Sequence, residues 1–296
     1  CINASGRLDT AKRSLKLLLS ESREEAEKIA GELKELNDER KSLTQQAVDS
    51  ACTQIDSDAS YEQDRVLVIY LPTCHESIAG IVAGKIRERY YKPVFVITDG
   101  EGCAKGSGRS IETYSMFEEM VKCQDLFLKF GGHPMAAGFS LERSRISEMR
   151  RRLNEICTLT EDDLTEKVHI DIAMPIHYIS EKVIDELSLL EPFGKGNEKP
   201  LFADTSLQVL SARVIGKNKN VVKMRVQNKN GYSIEALYFG DPAPFQEYLT
   251  EKYGENEVQN LFWGRANHIQ MDFTYYPSIN EYMGRKSLQI VIKNYR

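Results

Sequence analysis

The sequence predicts a helical lead, then an α/β domain, then a small β-rich domain. Three observations carry this reading. Apolar residues from Ala26 to Ile55 recur at steps of three and four, the helical period. Between residues 65 and 157, apolar strand-like runs alternate with amphipathic helical stretches. From Val168 onward, β-branched and aromatic runs are separated by turn signals such as Asn218-Lys219-Asn220. At 296 residues the chain is long for one hydrophobic core, so at least two domains are expected.

Helix is expected over residues 7 to 57. Ala11, Leu15, Leu18 and Leu19 form a short first stripe. Ser20 or Ser22 can cap a second helix with Glu24 and Glu25 in its first turn. That helix is long enough to connect domains. The next strands are predicted at Arg65–Leu71, Pro93–Thr98, Cys103–Ile111 (interrupted by its glycines) and Ala137–Leu141. Helices are expected at Ile78–Tyr90, from Tyr114 through Leu128 to a stop at Gly131, and at Arg143–Ile156. An acidic linker, Thr158–Lys167, leads into five β-runs at Leu201–Ile215, Val221–Asn228, Tyr232–Phe239, His268–Tyr276 and Ser287–Tyr295. Helices are expected at Ile179–Leu190 and Pro244–Tyr253. Five strands of this length fit a small barrel of the OB type.

Composition bounds the function. Hydrophobic residues make up 41% and charged residues 28%, ordinary for a soluble globular protein. Net charge is −5, so any nucleic-acid site must be a local basic surface. The six cysteines lack the spacing of a zinc knuckle or redox pair, and free thiols in a reducing cytosol are the simplest account. No apolar run reaches the length of a membrane span, and no membrane association is expected. The first residue is Cys1, in what reads as mid-sequence, so a piece of a longer protein is expected.

Two glycine runs carry the chemistry. Gly106-Ser107-Gly108-Arg109-Ser110 and Gly131-Gly132-His133-Pro134-Met135-Ala136-Ala137-Gly138 each set glycines beside a hydrogen-bonding side chain. Glycine lets an anion approach the backbone N–H groups, and a hydroxyl, a guanidinium and an imidazole can hold it. Each run also has a plain structural reading, an edge-strand bulge or a helix stop. Both in one small domain favour a shared site for phosphate or carboxylate. His75, at the start of a helix, is either a cap or a third contact. In the β-rich domain no acidic residue lies between Asp204 and Glu235, while Arg213, Lys217, Lys219, Lys223, Arg225 and Lys229 do. Arg285, Lys286, Lys293 and Arg296 follow Glu281 in the same way. Tyr232, Tyr238, Tyr275, Tyr276 and Tyr282 are interleaved with these bases, as in OB folds that grip single strands. An ordinary solvated hairpin with core tyrosines fits the composition equally.

With these residues in view, the chain resembles the DHH phosphoesterase superfamily and, within it, the C-terminal part of the RecJ family of bacterial single-strand-specific exonucleases. The resemblance runs through Ile2–Leu8, His75–Ala83, Gly106–Ser110, the Gly131-Gly132-His133 and Ala136-Ala137-Gly138 segments, Leu190–Asn197, Asn280–Arg285 and Leu288-Gln289. At Ser77 and Ala79 the sequence departs from the family's usual glycine and isoleucine. The resemblance implies a helical connector at 1–60, a DHH-associated α/β domain at 61–160 and an OB domain at 161–296. It implies that Ser107, Arg109, Gly131 and Gly132 hold a DNA phosphate, with Arg7 and His75 contacting it. His133 would face a catalytic centre, and Arg213, Lys217, Lys219, Lys223, Arg225, Tyr282 and Arg285 would contact the strand.

Manganese or magnesium is implied on an N-terminal DHH domain; the sequence contains no Asp-His-His run, and no metal ligand or cofactor is assigned within it. The implied protein is a cytoplasmic monomer hydrolysing single-stranded DNA from the 5′ end in repair and recombination. This part of it is expected to bind single-stranded DNA without cutting. The alternatives are another DHH phosphoesterase acting on oligonucleotides or cyclic dinucleotides, or a non-catalytic RNA- or tRNA-binding module.

Overall fold

The computed structural model describes residues 1–282 and 284–296; the side chain of Tyr282 and all of Met283 lie outside the described residues. The chain divides into two compact units, residues 1–166 and 167–296.

The first unit begins with α1 (Ile2–Leu8), α2 (Lys12–Leu18) and α3 (Arg23–Ser57). Helix thus starts before residue 7 and breaks at Asp9 and again at Leu19. The expected first stripe is not a buried one, since Leu15, Leu18 and Leu19 are exposed. Ser22 caps α3, its Oγ accepting from the Glu25 N–H at 3.0 Å, a contact that stabilises by about 1 kcal/mol. The three-four spacing of α3 becomes a packed face at Ile29, Leu33, Ala51 and Ile55. A buried hydroxyl pair, Ser5 Oγ and Ser14 Oγ at 2.7 Å, ties α1 to α2 and so fixes the position of Arg7.

The sheet of this unit follows: β1 (Leu67–Tyr70), α4 (Glu76–Tyr90), β2 (Val94–Asp99), β3 (Ala104–Arg109), α5 (Met116–Lys122), β4 (Phe127–His133), β5 (Ala136–Leu141) and α6 (Ile146–Glu155). The strand order is β1-β2-β3-β5-β4, with β1 and β2 parallel and the remaining pairs antiparallel. Val94 and Val96 face one layer, with α4 and α3; Phe95 and Ile97 face the other, with Met116, Met120 and Met149. Burying side chains of this size stabilises by roughly 1.5–3 kcal/mol each.

Two sequence expectations are corrected here. β3 is not interrupted by its glycines: Gly106 and Gly108 stay in register with Ile97 and Phe95 on one side and with Phe139 and Ala137 on the other. The helix expected to run through Leu128 to Gly131 ends at Lys122, and Phe127–His133 is a strand. A short helical turn at Gln124–Leu126 breaks the helical period, and pairing with β5 satisfies the backbone that follows.

The second unit contains β6 (Ile172–Ala173), α7 (Glu181–Ser188), β7 (Phe202–Ile215), β8 (Val221–Gln227), β9 (Ser233–Phe239), α8 (Pro242–Tyr253), α9 (Glu255–Phe262), β10 (Gln270–Tyr282) and β11 (Arg285–Tyr295). The pairings run β7-β8-β9-β11-β10, and β10 pairs back to β7. All of these are antiparallel except β9 with β11, the pattern of an OB fold. Val209, Val222, Met224, Val226, Ala236, Phe273 and Ile290 fill its interior. No helix among the described residues is long and apolar enough to cross a membrane.

Candidate nucleic-acid interface

Strand β3 alternates. Gly106 and Gly108 point to the layer that holds Phe139 and Met116: a Cβ on Gly106 would lie 2.1 Å from the Phe139 ring, and one on Gly108 2.2 Å from Met116 Sδ. These glycines therefore make room for the core. Their backbone belongs to β ladders on both sides, so these two glycines offer no open N–H groups to an anion, whereas Gly131 and Gly132 lie on the edge strand β4. Lys105, Ser107 and Arg109 pair with Thr98, Val96 and Val94 and stand on the opposite face, the one α4 packs against.

The register then brings the two glycine runs together. β5 lies between β3 and β4, so Arg109, Ala136 and His133 form one cross-strand row and Ser107, Gly138 and Gly131 the next. Neither Gly138 nor Gly131 has anything within 4 Å of where a Cβ would sit, which leaves an open trough beside Ser107. Gly132 serves the hairpin instead: a Cβ there would meet Ala136 O at 2.3 Å. His133 is exposed, with Nδ1 accepting from the Met135 N–H at 3.3 Å.

Helix α4 supplies the other wall. Ser107 and Lys105 border a cavity of about 280 Å³ with Glu76, Ser77, Ala79 and Thr98. Gly80 lies directly over the Arg109 guanidinium, where a Cβ would stand 2.7 Å from Nη2. Arg109 is half-buried and donates from Nη1 to Gly108 O at 2.7 Å. Burial, and secondarily the charge of Arg7, push its pKa below the usual guanidinium range. Arg7 Nη1 donates to Ser77 O at 2.6 Å. Among the described residues, neither arginine is paired with a carboxylate. Glu76, the nearest acid on the cavity rim, is held by Lys105 at 2.5 Å. Two neighbouring cations without a counter-charge favour an anion beside them.

His75 caps α4. Its Nδ1 accepts from the Ser77 N–H at 3.3 Å and lies 2.7 Å from Ser77 Oγ. Accepting at Nδ1 puts the neutral ring's proton on Nε2. No three His, Cys, Asp or Glu side chains come together as metal donors among the described residues.

On the second unit, Arg213, Lys223 and Arg225 stand on the outer face of β7 and β8, because Ala212, Val222, Met224 and Val226 turn inward. Arg213 makes no ion pair among the described residues; Lys223 is held by Glu235 at 2.7 Å, and Arg225 donates to Ser233 Oγ at 2.9 Å. Lys217 and Lys219 are exposed in the β7–β8 turn, and Arg285 opens β11. Of the two readings left open for the tyrosines, core packing holds for Tyr232, Tyr238, Tyr275 and Tyr276. Tyr275 is wholly buried, its hydroxyl donating to Met174 O. Tyr276 is covered by Lys199 at 3.7 Å and by Phe193. Tyr232 and Tyr238 pack against the interior, and the side chain of Tyr282 lies outside the described residues. An exposed aromatic ring beside these bases is instead Trp263, which borders a groove with Arg213, Lys223 and Arg225. Sequence reading missed Trp263; its signal was a lone tryptophan at the end of an amphipathic helix, next to Gly264-Arg265.

Family models match both units: the DHHA1 domain over residues 63–159 and the RecJ OB domain over residues 170–294. A DHH-associated domain followed by an OB domain defines the class of protein. The single-stranded-DNA-specific exonuclease RecJ of Bacillus subtilis (strain 168) is 33% identical over 99% of this chain and 35% of its own length. That of Escherichia coli (strain K12) is 31% identical over 99% of this chain and 49% of its own length. The crystal structure of RecJ from Thermus thermophilus in complex with Mg2+ superposes on all of this chain and 42% of its own, with a TM-score of 0.75 and 26% identity. The chain belongs to the RecJ family, and it spans 35% to 49% of the length of these two curated relatives.

Proposed function

We propose that this chain is the substrate-holding part of a 5′-to-3′ single-stranded-DNA exonuclease of repair and recombination. The observation that carries the proposal is the uncompensated pair Arg7 and Arg109, with Arg109 on the face of β3 that also carries Ser107 beside the open trough. In this reading the pair and Ser107 hold the phosphate of a DNA 5′ end. His133, in the same cross-strand row as Arg109, faces the scissile bond. The second unit holds the strand further along through Arg213, Arg225, Lys217, Lys219 and Arg285, with Lys223 and Tyr282 beside them. Helices α1–α3 connect to a DHH domain that carries manganese or magnesium, and hydrolysis belongs to that domain. The protein works as a cytoplasmic monomer. The RecJ OB match over residues 170–294 favours this reading over a DHH phosphoesterase of cyclic dinucleotides.

Phosphate contacts release counterions, so binding must respond to salt. With about four of these eight cations directly on phosphates, affinity for a single-stranded oligothymidylate should fall roughly 50-fold between about 50 and 200 mM salt. Fluorescence anisotropy of an end-labelled oligonucleotide measures this, with no shortening of the strand when manganese is added. Salt-independent binding, or manganese-dependent cleavage by the chain alone, would overturn the proposal.

A further inference from the structure

The outer face of the second unit carries a groove of about 310 Å³ between β7, β8 and the end of α9. Its walls differ in character. Arg213, Lys223 and Arg225 supply the polar side, and Phe262 and Trp263 the apolar side. Along α9, Val258 and Leu261 are buried and Phe262 is half-buried, yet Trp263, one residue on, is 62% exposed. The helix fixes the backbone that carries the indole, and the ring has a cationic neighbour. The Trp263 backbone N–H donates to Gln259 O at 2.9 Å, and the Arg265 guanidinium lies 4.6 Å from the ring centroid. A large flat apolar ring is therefore presented to solvent beside an arginine, Arg213, that has no carboxylate partner among the described residues.

We infer that this groove is a nucleobase subsite, in which a base of single-stranded nucleic acid stacks on Trp263 while Arg213 and Arg225 take the flanking phosphates. The inference rests on the proposed single-strand binding and adds a contact of a different kind. Charge selects the occupant: the one acid on the groove, Glu235, is neutralised by Lys223 at 2.7 Å, leaving a net cationic wall that fits a polyanion. The ring selects a base, because stacking needs a π-face and tolerates any sequence.

Trp263 is the chain's single tryptophan, so intrinsic tryptophan fluorescence reports this groove alone. Titration with oligothymidylate should quench the emission in step with the anisotropy of a labelled strand. Trp263→Ala should weaken binding about tenfold, Trp263→Phe should restore part of it, and an abasic strand of equal length should bind both the wild type and Trp263→Ala at that weaker level. Unchanged melting temperatures separate this from misfolding. Binding by anisotropy with no change in emission and no loss in Trp263→Ala overturns the subsite and leaves single-strand binding intact; an acidic protein segment as the true occupant gives that same result. No binding by either signal overturns both.

Discussion

Replacing Arg109 by alanine in the full-length protein that carries this sequence should lower exonuclease kcat/KM about 100-fold without unfolding it. The reasoning starts from its surroundings. Arg109 stands between a strand and a helix, and its guanidinium donates back to Gly108 O at 2.7 Å, a contact within its own strand. The side chain therefore ties no two elements together, and its loss leaves the ladders of β3 with β2 and β5 intact. A phosphate held by a guanidinium in a half-buried site makes charge-assisted bonds, and losing them costs on the order of 3 kcal/mol, the equivalent of that fold-change. Circular dichroism and steady-state kinetics measured together check it. A rate within a few-fold of wild type would remove Arg109 from the site.

Gly80→Ala should have the second largest effect, and its two readouts should move in opposite directions. Gly80 lies inside α4, where alanine is favoured over glycine by roughly 1 kcal/mol, so thermal stability should hold or rise. The added methyl would stand 2.7 Å from Arg109 Nη2 and 3.3 Å from Cζ, which forces the guanidinium out of its place against α4. Affinity for a phosphorylated strand should drop about tenfold, as one charge-assisted contact is misaligned. A fall in both stability and binding would point to damaged packing. Unchanged binding would mean that the guanidinium works from another position.

The place of these residues in the sequence shows what pattern can and cannot reveal. The α3 face was legible because three-four spacing survives over many turns, and the barrel strands because turn residues punctuate them. The glycines of the Gly106–Arg109 strand were legible as special but not for the right reason. Their purpose is room for Phe139 and Met116, tertiary contacts that no periodic pattern encodes. The strand at Phe127–His133 was hidden because Tyr114, Phe117, Val121 and Leu128 continue a helical period past the point where the helix stops. Tyr275 and Tyr276 stayed open to two readings because interleaved charge does not say which way a strand side chain turns. One points inward, and the turn holding Phe193 and Lys199 covers the other. Gly80, the residue that seats Arg109, carried no sequence signal of that role, since a helical glycine reads only as a weak point.

The central claim is that Arg7, Ser107 and Arg109 receive the phosphate at a DNA end. It is tested most directly by comparing the affinity of the chain for two single strands of one sequence, labelled at the 3′ end, one with a 5′-phosphate and one with a 5′-hydroxyl. The expected result is roughly tenfold tighter binding of the phosphorylated strand, with the preference abolished in Arg109→Ala. Equal affinity for the two strands in the wild type, or a preference that survives Arg109→Ala unchanged, would contradict the account.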